Sequence, residues 1–275
     1  MPAFLGVLAI CKNEEHVVEE WLWHYRQEGV DGFVVIDNGS TDGTVDILRR
    51  HSDVTVVVDA TRHAQGTLYN KYAPLGTYEW LLIVDFDEFA YGSTRALAAV
   101  LRELPADVGA VRLPWICFGS SGYQLQPPSV RSGFLWRAEY PDEDDAPFCP
   151  GFKEIVRCQA AQLLECHQHE ISSEYRRVDD CLEPFRGVFF GEERFARAPL
   201  RLNHYVIQSK DFFMRVKATR GDVACLAADR VRDEAYFARA DRNEVLDDRL
   251  SKKRGCLCAQ TMSSQGQALP TPNLL

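Results

Sequence analysis

No run in this 275-residue sequence approaches the roughly 18 consecutive apolar residues that a membrane-spanning helix requires, so no transmembrane helix is expected. The amino-terminal Phe4-Leu5-Gly6-Val7-Leu8-Ala9-Ile10 is apolar, but no basic region precedes it and it runs directly into Lys12-Asn13-Glu14-Glu15. That makes it a poor signal peptide and a good buried strand, and the chain is expected to be cytoplasmic. An excess of positive charge is missing too. With 31 Lys and Arg against 40 Asp and Glu, the net charge is -9, which argues against bulk nucleic-acid binding, because phosphate neutralisation needs a basic footprint. The nine cysteines show no CxxC spacing, and the nearest approach to a metal pattern, Cys158, Cys166, His167 and His169, is irregular. Reduced, mostly buried thiols are expected rather than a zinc framework or a secreted disulfide scaffold. No GxGxxG follows the first apolar run and no GxxxxGK(S/T) occurs, which sets aside dinucleotide oxidoreductases and P-loop ATPases. No internal repeat is found.

What remains, 46% hydrophobic and 26% charged residues, is the composition of a soluble globular protein with a sizeable core. Over the first 115 residues, strand-length apolar runs at 4–10, 32–37, 54–59 and 80–85 alternate with helix-patterned stretches. This rhythm predicts an α/β fold with a mostly parallel central sheet flanked by helices. In the first helix Val17, Val18, Trp21, Leu22 and Tyr25 share one stripe, Glu15, Glu19, Glu20 and Glu28 lie off it, and Gly29 ends it. A second helix follows Asn38-Gly39-Ser40-Thr41-Asp42-Gly43, and a later one is predicted over 93–104 with Ser93 as N-cap and Pro105 as stop.

Beyond residue 115, glycine, proline and aromatic punctuation, including Phe118-Gly119-Ser120-Ser121-Gly122 and the acidic stretch 141–147, reads as loops over a site. Strand-like pieces return at 152–157 and 200–207, and helices are predicted over about 209–219 and 228–250. Residues 255–275 carry no charge and read as a disordered tail. Residues 201–254 hold 13 Lys and Arg against 9 Asp and Glu, while the first 200 residues carry -13. That asymmetry suits either a solvated helical face or a peripheral contact with the inner face of a membrane.

Ligands of open α/β sheets bind outside the carboxyl ends of the strands. Here those ends read Lys12-Asn13-Glu14, Asp37-Asn38, Asp59 and Asp85-Phe86-Asp87-Glu88. Each acid alone suits a cap or a turn, but together they would repel one another unless a divalent cation lay between them, and hard oxygen ligands favour Mg2+ or Mn2+ over zinc. A sheet that holds diphosphate through a metal suits a nucleotide-sugar enzyme.

Cys11-Lys12-Asn13-Glu14-Glu15, Glu20-Trp21-Leu22 with His24, Ile36 to Thr44 and Trp80 to Phe89 together resemble the family 2 glycosyltransferases of GT-A fold. The likeness is closer to the branch related to family 92, through Phe118 to Gly122, Lys153-Glu154-Ile155-Val156, His167 and His169, Asn203-His204-Tyr205, Ser209-Lys210, Phe213, Lys217 and Gly221. The resemblance implies one GT-A catalytic domain over 1–254, with a nucleotide-sugar half (1–115) and an acceptor-side half (116–254). It implies a glycosyltransferase, of hexosyltransferase class, moving sugar from a UDP-linked donor to a saccharide or lipid-linked acceptor. Asn13, Glu14 and Asp37 would hold the nucleoside, with Asp59 nearby. Asp85 would contact ribose or metal, Asp87 would ligate Mn2+ or Mg2+ at the diphosphate, and His204 would add a metal or diphosphate contact. Lys153 and Lys210 could neutralise diphosphate. The implied mechanism is inverting displacement, in which the metal stabilises the departing diphosphate and a carboxylate takes the acceptor's proton. Asp144, Asp145, Glu154 and Glu170 are the acids on the acceptor side. Two other classes stay open: a sugar nucleotidyltransferase, which would need a basic glycine-rich loop where residues 12–15 are acidic, and a non-catalytic nucleotide-binding scaffold.

Overall fold

The computed structural model describes residues 2–140, 151–186, 191–219 and 232–253. Its architecture follows from strands that are apolar on both faces. Ala3–Cys11 (β1) is buried from Leu5 onward and Gly32–Asp37 (β2) throughout, which requires a neighbour on each edge and a layer on each face. The other strands of the sheet are Val54–Val58 (β3), Tyr78–Ile83 (β4), Glu88–Gly92 (β5), Val108–Cys117 (β6), Phe152–Arg157 (β7), Arg176–Val178 (β8) and Leu200–His204 (β9). They form one nine-stranded sheet in the order β3-β2-β1-β4-β7-β6-β9-β5, with β8 beside β6.

β3, β2, β1 and β4 are mutually parallel, as are β6 and β9, whereas β7 runs antiparallel to β4 and β6, and β5 antiparallel to β9. The sheet is therefore mixed but mostly parallel. One face carries Val18–Gln27 (α1), Thr44–Leu48 (α2) and Leu97–Leu101 (α4) over a core including Trp21, Tyr25, Phe33, Leu82 and Leu113. The other carries Gln65–Tyr72 (α3), whose Leu68 and Tyr69 pack on Leu8, Ile36, Leu81 and Val156.

The predicted strands and the first two helices fall where the periodicity puts them. Gly29 takes φ +85°, which suits glycine, and a Cβ there would lie 2.7 Å from Ala98 Cβ. Three expectations are corrected. The helix predicted over 93–104 shortens to Leu97–Leu101, because Ser93 Oγ donates to Ala198 O and Ser93 N to Pro199 O, tying it to the approach of β9. Glu28, expected on the polar side of α1, is instead buried and caps α4: its Oε2 accepts from Leu97 N (2.8 Å) and Gly92 N (3.1 Å).

The helix predicted over 228–250 is helical only at Glu234–Ala240 and Arg249–Lys252 among its described residues. Between them, Asp241 and Asn243 accept from Ser120 N and Ser121 N, and Val245–Leu246 pairs with Trp136–Arg137. The chain leaves the helix to serve these tertiary bonds. The 209–219 stretch is a short α-turn, Lys210–Phe212, running into a π-helical turn, Phe213–Lys217.

Among the described residues no helix is long and apolar enough to cross a membrane. Much of the basic stretch is paired within the chain: Lys210 with Glu234, Arg215 with Asp211, Lys252 with Asp248 and Lys253 with Glu28. The acidic stretch 141–147, with Asp144 and Asp145, and the tail 255–275 lie outside the described residues.

Candidate active site

β1, β2, β3, β4, β6 and β9 all end at one edge of the sheet, where the antiparallel β5 and β7 begin. Cys11 lies beside Asp37, Pro114 beside Phe152, and His204 beside both Glu88 and Cys117. The acids read from the strand ends therefore share a rim, as expected, but the rim has two parts of different character.

The first part is laced by hydrogen bonds within and between the loops that follow β1, β2 and β3. Asn13 adopts φ +56°, a conformation that asparagine tolerates; its N–H donates to Ser40 Oγ and its Oδ1 accepts from Thr41 N (2.8 Å). Asp37 accepts from Gly39 N and Ser40 N, and Glu14 N donates to Thr44 Oγ1 (2.8 Å). Asn38 Nδ2 bridges Asp59 O and Thr61 O. Thr61, Tyr72 and Lys71 all bond the Asp59 carboxylate and hold it well below the usual carboxylate range. These side chains order the loops after β1, β2 and β3.

In the second part, long-range ion pairs gather charge. Phe86, the middle residue of Asp85-Phe86-Asp87, is buried and stacks on Trp21 with centroids 4.2 Å apart, while Trp21 Nε1 donates to Asp85 O. This anchor leaves the two flanking acids at the rim. Asp85 Oδ2 accepts from Lys153 Nζ (2.9 Å), which also lies 3.6 Å from Glu88 Oε2. Asp87 Oδ2 accepts from Lys217 Nζ (2.5 Å) and lies 3.6 Å from His204 Nε2. The Trp115 ring covers His204 at 4.4 Å and meets His167 at 5.4 Å.

Burial would raise the Asp87 carboxyl, but Lys217 and His204 outweigh it and hold the group well below the usual range. Burial likewise works against the Lys153 ammonium, and Asp85 and Glu88 overcome it. Glu88, wholly inaccessible, is pushed up to about 7 chiefly by burial, against the pull of Lys153. Its Oε1, together with Trp115 Nε1 and Asn203 Oδ1, is buried with no hydrogen-bond partner among the described residues. Such groups cost free energy in the resting fold.

The structure thus brings together Asp85, Asp87, Lys153 and His204, and adds Glu88 and Lys217, which the sequence reading did not assign to the site. Glu88 adjoins the acidic triplet, and Lys217 belongs to the late segment that carried the family resemblance; those were the available signals. Within the chain, Lys71 pairs with Asp59, Lys153 with Asp85 and Lys217 with Asp87, which offsets part of the charge that the sequence argument set against a divalent cation. Lys210 stands apart, exposed and paired with Glu234 (2.7 Å). Glu170 is exposed on a two-stranded hairpin with Ala161–Leu163. Glu154, next to Lys153 on β7, faces the other side of the sheet, where its wholly buried carboxylate is held by Arg112 (2.6 Å) and Arg177 (2.7 Å). A groove lined by His63, Gln65, Asn70, Leu163, Glu165 and Cys166 contains none of these residues.

As a donor set for a divalent cation, Asp85, Asp87 and His204 offer hard oxygen and one imidazole, which suits Mn2+ or Mg2+. The two acids differ in exposure. The Asp85 side chain is 35% exposed and the Asp87 side chain 13%, each with a buried lysine on its Oδ2 and, among the described residues, no hydrogen bond to its Oδ1. Carboxylate oxygen completed by phosphate oxygens and water fits a Mg2+-type ion. A compact trio elsewhere, Asp179, Asp180 and Cys181, has its ligand atoms within 4.8 Å of one another, but both acids are taken by Arg194.

A mixed, mostly parallel sheet with acids at its carboxyl rim and no glycine-rich phosphate loop is the GT-A arrangement of glycosyltransferases. The model of the family described as "Glycosyl transferase family 2" matches residues 7–161, more than half of the chain, and the chain belongs to that family. It is 25% identical over 166 residues to a glycosyltransferase family 92 protein of Oryza sativa subsp. japonica; the match covers 56% of this chain and spans 27% of that protein. Among solved structures, it is similar to a mannosyltransferase of Pyrobaculum calidifontis in complex with GDP-Man and Mn2+ (24% identity, 57% of this chain and 45% of that one, TM-score 0.35). HddC of Yersinia pseudotuberculosis overlaps 70% of this chain and 97% of its own at 10% identity, with a TM-score of 0.36. Both scores are low and the likenesses partial.

Proposed function

We infer that this protein transfers a glycosyl group from a nucleoside diphosphate sugar, UDP-linked in the first instance, to a hydroxyl of a saccharide acceptor. The observation that carries the reading is the convergence of Asp85, Asp87, Glu88, Lys153, Lys217 and His204 on one rim, in a chain of a glycosyltransferase family. The laced loops bearing Asn13, Glu14 and Asp37 form the nucleoside side. Lys153 and Lys217 are fixed positive charges, and a preorganised charge of that sign favours the negative charge that develops on a departing diphosphate. A divalent cation, Mn2+ or Mg2+, held at Asp85 would supply Lewis-acid stabilisation of that same group. His204, under Trp115, borders the same position and can donate to phosphate. Displacement of the diphosphate by the acceptor oxygen from the opposite side, with the hydroxyl proton passing to a base on the acceptor side, inverts the anomeric centre.

The test is turnover of UDP- and GDP-sugars with Mn2+, read as release of nucleoside diphosphate, in the wild type and in Asp85→Ala. The expected result is a loss of about 100-fold or more in a variant that still folds, with a lower melting temperature because buried Lys153 loses its hydrogen-bonded counter-ion. If no nucleotide-sugar is bound or turned over, the reading falls and a non-catalytic role takes its place.

A further inference from the structure

The two rim lysines rest on different supports. Lys217 Nζ keeps two backbone acceptors besides its acid, Val206 O (2.6 Å) and Tyr205 O (3.2 Å). Lys153, whose side chain is 1% exposed, bonds among the described residues to carboxylates alone: Asp85 Oδ2 at 2.9 Å, with Glu88 Oε2 at 3.6 Å. The Asp85 side chain is 35% exposed and within reach of a ligand, whereas Glu88 is wholly inaccessible. A cation taken up by either oxygen of Asp85 uses the negative charge on which Lys153 relies, and repels the ammonium as well. A buried ammonium without a counter-ion is strongly destabilising. Glu88 is then the carboxylate left to it.

Glu88 is fixed where it stands. Its N–H donates to Asp85 O (3.1 Å) and its Oε2 accepts from Asp85 N (2.8 Å), so the turn that carries the acids closes on this residue. Its backbone O accepts from Tyr25 Oη (2.9 Å), and His204 lies opposite it on β9. Its Oε1 is buried with no hydrogen-bond partner among the described residues. Closing the turn does not require that cost, since Oε2 alone makes the bond.

We propose that Glu88 is a positioning residue: its carboxylate is the standing counter-ion of Lys153 and holds that ammonium at the rim, toward a diphosphate, when Asp85 is engaged. The proposal rests on the transferase reading for what engages Asp85, but its first test needs neither nucleotide nor metal. Glu88→Gln keeps an oxygen for Asp85 N and removes the charge, and Asp85→Asn imitates an Asp85 whose charge is spent. Melting temperatures are read at pH 8, where Glu88 is mostly ionised. The expected result is a small change in Glu88→Gln and a moderate loss in Asp85→Asn. In the double variant the loss should exceed their sum by about 5 °C or more, because Lys153 has no counter-ion left. Adding Lys153→Met to the double variant should recover most of that loss. A Glu88 that only closes the turn would give additive losses, and these overturn the proposal. Where the double variant does not fold, a folded triple variant supports the proposal and an unfolded one overturns it.

UDP affinity, measured by calorimetry, gives the second readout. A carboxylate near a diphosphate repels it, so a merely structural Glu88 predicts equal or tighter binding in Glu88→Gln. The positioning role predicts binding about tenfold weaker with Mn2+ and within about twofold of wild type without it. Equal or tighter binding with Mn2+ overturns the proposal. A wild type that binds no UDP fails the transferase reading alone, and the melting cycle still decides the role of Glu88.

Discussion

The two parts of the rim solve one problem, many carboxylates at one edge, in opposite ways. Around β1 to β3, Asp37 and Asp59 are satisfied mostly by backbone N–H and hydroxyl groups two or three residues away, with Lys71 and Tyr72 close behind. Around β4 to β9, Asp85 and Asp87 are satisfied by lysines 68 and 130 positions distant. The first arrangement makes ordered loops, joined to one another by Asn13, Glu14 and Asn38. The second makes a preorganised field whose members come from β4, β7 and the turn after β9, so only the completed sheet assembles it. Asp85 and Asp87 are thus held by the tertiary structure, while Asp37 and Asp59 are held mostly by near neighbours in sequence.

This contrast can be broken most forcefully on the far face of β7. Glu154→Ala leaves Arg112 and Arg177 without their buried counter-ion, and should cost about 3 to 5 kcal/mol in a denaturant melt. A normal melt with turnover lost would instead make Glu154 a functional acid.

Next is Glu88, whose carboxyl is raised from near 4.5 to about 7. Between those values the folded chain holds a proton that the unfolded chain has released, so stability falls as pH rises through that window. Glu88→Gln should remove this fall and be more stable than wild type at pH 8, relative to their difference at pH 4. A parallel pH profile for both proteins would show that Glu88 does not titrate there.

On the laced part, Thr44 Oγ1 accepts from Glu14 N and donates to Asp42 Oδ1 in a buried position. Thr44→Val should lower stability by about 1 to 2 kcal/mol and weaken nucleotide affinity, measured by calorimetry, through the 12–15 loop. The smallest effect is expected from Lys71→Met. Its pair with Asp59 is exposed, and exposed pairs contribute little. An unchanged melt is the expected outcome, and a large drop would erase the distinction between the two parts.

The amphipathic stripe of α1, the apolar runs of β1 to β4 and the turn chemistry of 38–43 are properties of neighbouring residues, and the sequence by itself determined them. So did the coincidence of acids at the strand ends, since every parallel strand delivers its carboxyl end to one edge. Tertiary structure decided what those acids do. Glu28 became the cap of α4 and not a surface residue of α1, and Glu154 was drawn under two arginines one residue from Lys153. Asp241 and Asn243 pulled the chain out of a helix to serve the 120–121 turn, and Lys153 and Lys217 came from far along the chain to Asp85 and Asp87. The reason is physical: secondary structure follows periodicity within a few turns, but the free energy of a charge depends on burial and on partners supplied from any distance along the chain. No pattern of neighbouring residues encodes those partners.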